Sequence, residues 1–168
     1  MNVLVALDHR FTRLPDGSVW TGTFFARSFW QRYLNVFDSV SVVARVEEAS
    51  EVSPLAKRVD GQGVTVLPIA HYLGPWQYLA RQRRIQRQIT DAVEGAGAVI
   101  LRASGQMANC VEKRLRALGR PYGVEVVADP YDVFSPGAMH HPLRSALRWW
   151  FPRQLRRQCK NATAVAYV

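Results

Sequence analysis

Residues able to do chemistry gather at three places in this chain, each directly after or within a short run rich in valine. The first is Asp8-His9, at the end of the run 3–8. There a carboxylate and an imidazole would project from a strand end into a cleft. The segment 9–20 that follows contains Asp16-Gly17, a turn pair, and Gly17 permits close approach of a ligand to the backbone. A long surface loop explains the segment equally well, although loops of this length without structure of their own are more often functional than short ones. The second place is Arg102-Ala103-Ser104-Gly105. Gly105 opens a helix whose free N–H groups can receive an anion, and Ser104 serves equally as an ordinary N-cap. Arg102 lies inside an apolar run, so it must be paired or reach a cleft. Glu125, inside the next apolar run, is its candidate partner, and a structural ion pair and a site role both stand. The third place is Asp129-Pro130-Tyr131-Asp132. Asp129, Tyr131 and Asp132 suit the hydroxyls of a sugar, with the Tyr131 ring as a platform; an Asp-Pro turn is the plain alternative.

Other chemistries lack their signatures. No G-x-G-x-x-G follows the first run, and neither G-x-x-x-x-G-K-[ST] nor G-x-S-x-G occurs anywhere, which argues against dinucleotide, nucleoside-triphosphate and serine-hydrolase sites. The histidines His9, His71, His140 and His141 have no metal-ligand spacing, and Cys110 and Cys159 make neither a disulfide framework nor a zinc site. No metal is expected, and no cofactor in this domain.

Charge adds a different kind of signal. Lys and Arg number 22 against 13 Asp and Glu, a net charge of +9 and a pI near 10.3. Asp132 is the last acidic residue; after it come Arg144, Arg148, Arg153, Arg156, Arg157 and Lys160. Arg81, Arg83, Arg84 and Arg87 form a second cluster. Such a balance calls for an anionic partner. The stretch 143–157 mixes its arginines with Trp149, Trp150 and Phe151, a composition suited to a membrane interface. Arg81, Arg84, Arg148, Trp149, Arg153, Arg156 and Arg157 are the candidate membrane or anion surface, unless the aromatics simply pack on the sheet. A nucleic-acid-binding domain is the alternative; the charge supports it, but the aromatics fall on expected core faces and no reader motif is present.

The elements that must position these groups follow from periodicity. Six runs read as strands: 3–8, 39–46, 64–69, 98–103, 122–127 and 163–168. Most are continuously apolar, as in a parallel sheet covered on both faces. Between them lie four helical patterns. Thr21 or Thr23 can cap the first, whose core face would be Phe25, Phe29, Tyr33 and Val36. Gly74-Pro75 starts the second, which turns Tyr78, Ile85, Ile89, Ala92 and Val93 inward. The third runs over 106–118 and stops at Gly119. The fourth covers 143–159 and is broken or kinked at Pro152. The alternation predicts an α/β, Rossmann-like three-layer open sheet of about six mostly parallel strands. With 168 residues, 48% of them apolar, this is one domain with a real core. Long irregular segments are expected at 9–20, 47–62 and 128–141, and the first and third fall at the carboxyl ends of strands, where open parallel sheets bind ligands. No run approaches the roughly 20 apolar residues of a transmembrane helix, and the opening residues lack the basic start of a signal peptide. The expected location is the cytoplasm, with peripheral contact to the inner membrane face. The run 162–168 reads as a buried strand at which the chain stops, as in a fragment.

In order and phrase the sequence resembles the N-terminal half of GT-B glycosyltransferases, the large retaining family 4 in particular. The resemblance rests on the opening strand Met1–Asp8, on Gly63-Val64-Thr65-Val66-Leu67-Pro68-Ile69, and on Ala162-Thr163-Ala164-Val165-Ala166-Tyr167-Val168 before the crossover to a second half. It implies an acceptor-binding domain for a sugar or lipid-linked acceptor, acting in polysaccharide or cell-envelope glycan synthesis. A C-terminal domain would hold the sugar nucleotide and a paired-glutamate motif not found here. The histidine that many members carry after the fifth strand is replaced by Ala128-Asp129, which makes Asp129 the positional candidate for a catalytic role.

Overall fold

The computed structural model describes residues 1–103, 105–133 and 144–168. Among these residues eight strands and five helices follow in the order β1 (Asn2–Arg13), β2 (Val19–Thr21), α1 (Arg27–Leu34), β3 (Ser39–Glu48), β4 (Lys57–Arg58), β5 (Val64–Ala70), α2 (Gly74–Glu94), β6 (Ala98–Ala103), α3 (Gln106–Ala117), β7 (Gly123–Val126), α4 (Pro130–Val133), α5 (Arg144–Asn161) and β8 (Ala164–Tyr167). All eight strands belong to one mixed, mostly parallel sheet. Its parallel part runs β5-β3-β1-β6-β7-β8. The two short antiparallel strands extend one corner, β2 on the far end of β1 and β4 on β2. The α/β class and the parallel majority are as expected, and the order is compatible with a Rossmann-like sheet.

Helices cover both faces. Leu4, Ala6, Val99, Leu101 and Val124 meet Ile85, Ile89, Val93, Met107, Val111 and Leu115 of α2 and α3 on one side, with Leu155 and Cys159 of α5 packed against them. Val3, Val5, Val40, Val42 and Val64 meet Trp30 and Tyr33 of α1 on the other. Successive side chains of β1 therefore enter opposite cores, which is why the run is apolar throughout.

Several boundaries differ from expectation, each for a local reason. The segment 9–20 is a hairpin instead of a loop. Beyond Asp8, Arg10 to Arg13 continue beside β3, with Phe11 buried and Arg13 paired to Glu48 at 2.5 Å. Asp16 and Gly17 make the expected turn, but at the hairpin tip: Asp16 Oδ1 accepts from Ser18 N at 2.9 Å and Gly17 has φ +84°. The segment 47–62 contains β4, and Asp60 ties it to β2 by accepting from Val19 N at 3.0 Å. Helix α1 begins at Arg27 with Ala26 in the cap position and no side-chain cap, so neither Thr21 nor Thr23 caps it. Val36 lies past its end and is exposed, and the buried positions are Trp30 and Tyr33. Pro152 is accommodated inside α5, which continues to Asn161. The edge strand β8 is exposed along its whole length, whereas a buried strand was expected.

Candidate functional site

The parallel strand order reverses direction between β1 and β6, because the chain builds outward from β1 to β5 and then crosses back to β6. Open α/β sheets bind ligands at the carboxyl ends of strands beside such a reversal. Here β1 carries an irregularity. Ala6 stands opposite Val43 and Arg10 opposite Arg45, so Leu7, Asp8 and His9 face one residue of β3. Bulges of this kind re-aim side chains and recur next to sites. Asp8 and His9 thus sit in a mid-strand bulge, not in the loop expected for them.

Asp8 is held from two sides. Its Oδ1 takes the Arg45 guanidinium at 2.7 Å, and its Oδ2 accepts the backbone N–H of Gln106 at 2.7 Å. The first free amide of α3 is therefore satisfied within the chain, and the anion expected at this helix start is Asp8 itself. Gly105 makes room: a Cβ there would lie 2.5 Å from Asp8 Cβ. Arg45 also donates to the Tyr72 carbonyl at 3.2 Å and stands 4.9 Å from the Tyr72 ring. His9 Nε2 lies 3.1 Å from Thr21 Oγ1 and 3.4 Å from Thr23 Oγ1, and its ring packs on Phe11 and Phe25. Burial first, then the positive field of Arg45 and Arg10, lower the His9 pKa below its ordinary value against the opposing pull of Asp8. The cluster is a fixed carboxylate beside a neutral imidazole and hydroxyls, suited to orienting a hydroxyl-bearing ligand. Asp16 and Gly17 lie at the hairpin tip and are not among these contacts.

Asp129 and Tyr131 meet at the end of β7. Asp129 Oδ1 accepts from Tyr131 N at 2.8 Å, and the Asp129 carbonyl accepts from Asp132 and Val133. The Asp-Pro turn is thereby present as the start of α4. The same Asp129 and Tyr131 line a cavity of about 480 Å³ with Arg156 of α5 and Tyr167 of β8. Arg148 lies 3.7 Å from the centre of the Tyr131 ring and donates to its carbonyl at 3.2 Å. Asp132 is exposed on α4 and does not line that cavity. Ser104, like His140 and His141, falls outside the described residues.

Arg102 resolves toward the ion pair. It meets Glu125 across β6 and β7, and Tyr33 of α1 donates to Glu125 at 2.7 Å while Arg102 reaches the Tyr33 hydroxyl at 3.1 Å. Phe29 lies 5.0 Å from the guanidinium, which leaves β6 one residue before its carboxyl end and is buried in the α1 core. Burial and the Glu125 hydrogen bond push the Tyr33 hydroxyl up to about 12.

The basic surface divides. Arg81 donates to the His71 carbonyl, and Arg84 is exposed on α2 beside Trp76, which is 81% exposed. Trp149 is 61% exposed and Arg153 stacks on it at 3.5 Å. Of the two alternatives left open for these tryptophans, packing on the sheet or facing outward, both take the second. Arg157 pairs with the fully buried Glu112 at 2.6 Å while its side chain stays 39% exposed, so it joins the helix interface to the outer surface.

Arg45 and Tyr72 went unread in the sequence, and Thr21 and Thr23 were read only as helix caps. Arg45 carried the same signal as Arg102, a lone cation inside a valine-rich run. Among the described residues no group of three or more His, Cys, Asp or Glu side chains could hold a metal ion, and no helix is long and apolar enough to cross a membrane.

No family model matches the chain, and no solved structure matches it. Among curated proteins it is similar to Protein CapJ of Staphylococcus aureus, with 23% identity over 134 residues, 80% of this chain. The chain spans about a third of that relative, the match covering 34% of its length.

Proposed function

We propose that the chain is the acceptor-binding, N-terminal domain of a GT-B glycosyltransferase that takes its sugar from a sugar nucleotide, in polysaccharide or cell-envelope glycan synthesis. The observation that carries this reading is the reversal of the parallel strand order at β1 and β6, with the irregularity of β1 at Leu7, Asp8 and His9 beside it and Asp8 bonded to the start of α3. Asp129, Tyr131 and Arg156 around their own cavity extend the same edge. Among the described residues these strand ends offer hydrogen-bonding groups for hydroxyls, and the sequence has no phosphate-binding glycine motif. The sugar nucleotide then falls to a second domain in cis, consistent in scale with a relative about three times as long as the matched part. Most of the electrostatic stabilisation of the departing diphosphate would lie in that domain. The acceptor is a sugar or lipid-linked sugar at the cytoplasmic face of an anionic membrane. Leu73, Trp76 and Leu79, 52%, 81% and 55% exposed at the start of the arginine-rich α2, support that placement.

The test is sugar transfer by the full-length gene product, assayed with radiolabelled sugar nucleotides and membrane acceptors. Replacing Asp8 or Asp129 by Asn should lower kcat/KM for the acceptor by about 10–100-fold, the range for one hydrogen bond to a charged group, with donor Kd unchanged. Micromolar binding of UDP-glucose by the 168-residue chain would overturn the division of roles. Absence of transfer from every sugar nucleotide would overturn the enzyme reading.

A further inference from the structure

Helices α2, α3 and α5 share one face of the sheet without closing on one another. They leave a cavity of about 640 Å³ whose walls are all helical, so it opens on the outer face and not at the strand ends. Five of its thirteen lining residues carry amides: Gln82 and Gln86 from α2, Gln106 and Asn109 from α3, Gln154 from α5. The half-buried Trp150 ring adds an aromatic wall.

Two features of the α3 wall point to a ligand. Glu112 is fully buried, and only its Oε2 is bonded, to Arg157 at 2.6 Å. Its Oε1 has no hydrogen-bond partner, and Arg116 comes no nearer to it than 3.8 Å. One turn earlier, Asn109 Oδ1 accepts from Gln158 at 2.8 Å while its Nδ2 finds nothing. The buried Nε of Arg157 is also unpaired. An acceptor and two donors thus stand unmet just beneath the wall of one cavity, an arrangement that costs free energy unless rotation of these side chains brings them to a partner. Glu112 needs a donor, and Asn109 and Arg157 need acceptors. A hydroxyl group is both at once, and so is each surrounding glutamine amide.

We propose that this cavity binds a carbohydrate bearing an acidic group. Several hydroxyls would satisfy the unmet atoms and the amides, with the Trp150 ring against the C–H face of a pyranose. The acidic group follows from the charge: Lys113, Arg116 and Arg157 line the cavity against the single carboxylate of Glu112. A uronate and a sugar phosphate share that chemistry, and the probes separate them. The site is distinct from the strand-end crevice and does not depend on the transferase reading.

The experiment is calorimetric titration of the full chain, without any sugar nucleotide, using trigalacturonate, glucose 6-phosphate and maltotriose as probes. Binding of trigalacturonate or glucose 6-phosphate, weakened by salt, is expected, and the tighter of the two identifies the acidic group. Gln86→Ala and Trp150→Ala should each weaken it at least about tenfold, which corresponds to ~1.4 kcal/mol. Lys113→Ala alters an exposed side chain, so it tests the cation without disturbing the fold; it should weaken the acidic probes and leave maltotriose unchanged. No heat with any probe, or equal affinity in all three variants, overturns the site. Equal affinity for maltotriose and the acidic probes overturns the acidic group. Transfer activity is not read, so failure of the glycosyltransferase assay leaves this result standing.

Discussion

Gly105 and Asp8 are complementary at the scale of single residues. The carboxylate can reach the start of α3 only because position 105 has no Cβ. Gly105→Ala would force Asp8 and the bulge aside, and a loss of about 1–3 kcal/mol is expected, the usual cost of overpacking, measured by chemical denaturation. His9 makes a second prediction. Its folded pKa is lowered, so the unfolded chain binds a proton, near the ordinary value of 6.5, that the folded chain refuses. Its contribution to stability is complete above pH 6.5 and is lost as the pH falls toward the folded value. Denaturation midpoints across pH 5 to 8 should therefore decline on the acid side for the parent chain and decline less for His9→Gln. An unchanged profile in the variant would refute the assignment.

At the scale of elements, α1 is pinned to the sheet by more than apolar contact. Tyr33 joins Arg102 and Glu125, so one helix and two strands share one buried polar network. Arg102→Leu leaves Glu125 without its cation. A destabilisation of about 3–5 kcal/mol is expected, whereas Arg102→Leu with Glu125→Leu should recover most of it. If the double variant is as unstable as the single one, the network is not what the ion pair supports. The pairing of β1 with β3 on both sides of residues 7–9 keeps the irregularity in register.

The whole molecule carries its excess positive charge unevenly. Residues 61–90 contain no acidic side chain, and within them α2 shows Trp76 and Leu79 beside Arg83, Arg84 and Arg87. Exposed apolar residues among arginines fit a lipid interface better than a nucleic acid, which would leave Leu73 and Leu79 in water. The chain should co-sediment with phosphatidylglycerol vesicles and not with phosphatidylcholine vesicles, and 0.5 M salt should release it, because screening at about that ionic strength shortens electrostatic reach to a few ångströms. Trp76→Ala with Arg84→Ala should abolish the difference. Equal recovery in both supernatants would rule the surface out.

Much of this was legible in the sequence. The valine runs declared a sheet covered on both faces, because continuous apolarity has no other use in a strand of this length. The Arg102–Glu125 pair was readable because a lone charge in an apolar run needs a partner. The basic stretches and the Asp129 turn were equally plain, being properties of neighbours along the chain. Tertiary structure alone decided the rest. Asp16-Gly17 marked a turn, but whether it closed a hairpin depended on β3 being there to pair with Arg10 to Arg13. Asp8 read as a strand end from sequence, but pairing of Arg10 to Arg13 with β3 makes its place mid-strand, and its partners Arg45 and Gln106 lie 37 and 98 positions away. Arg157 read as surface charge, and only the fold shows that it also pairs with the buried Glu112, 45 positions earlier. Local pattern determines where the chain is apolar and where it turns; which charges meet depends on strand order, and no short window of sequence contains that.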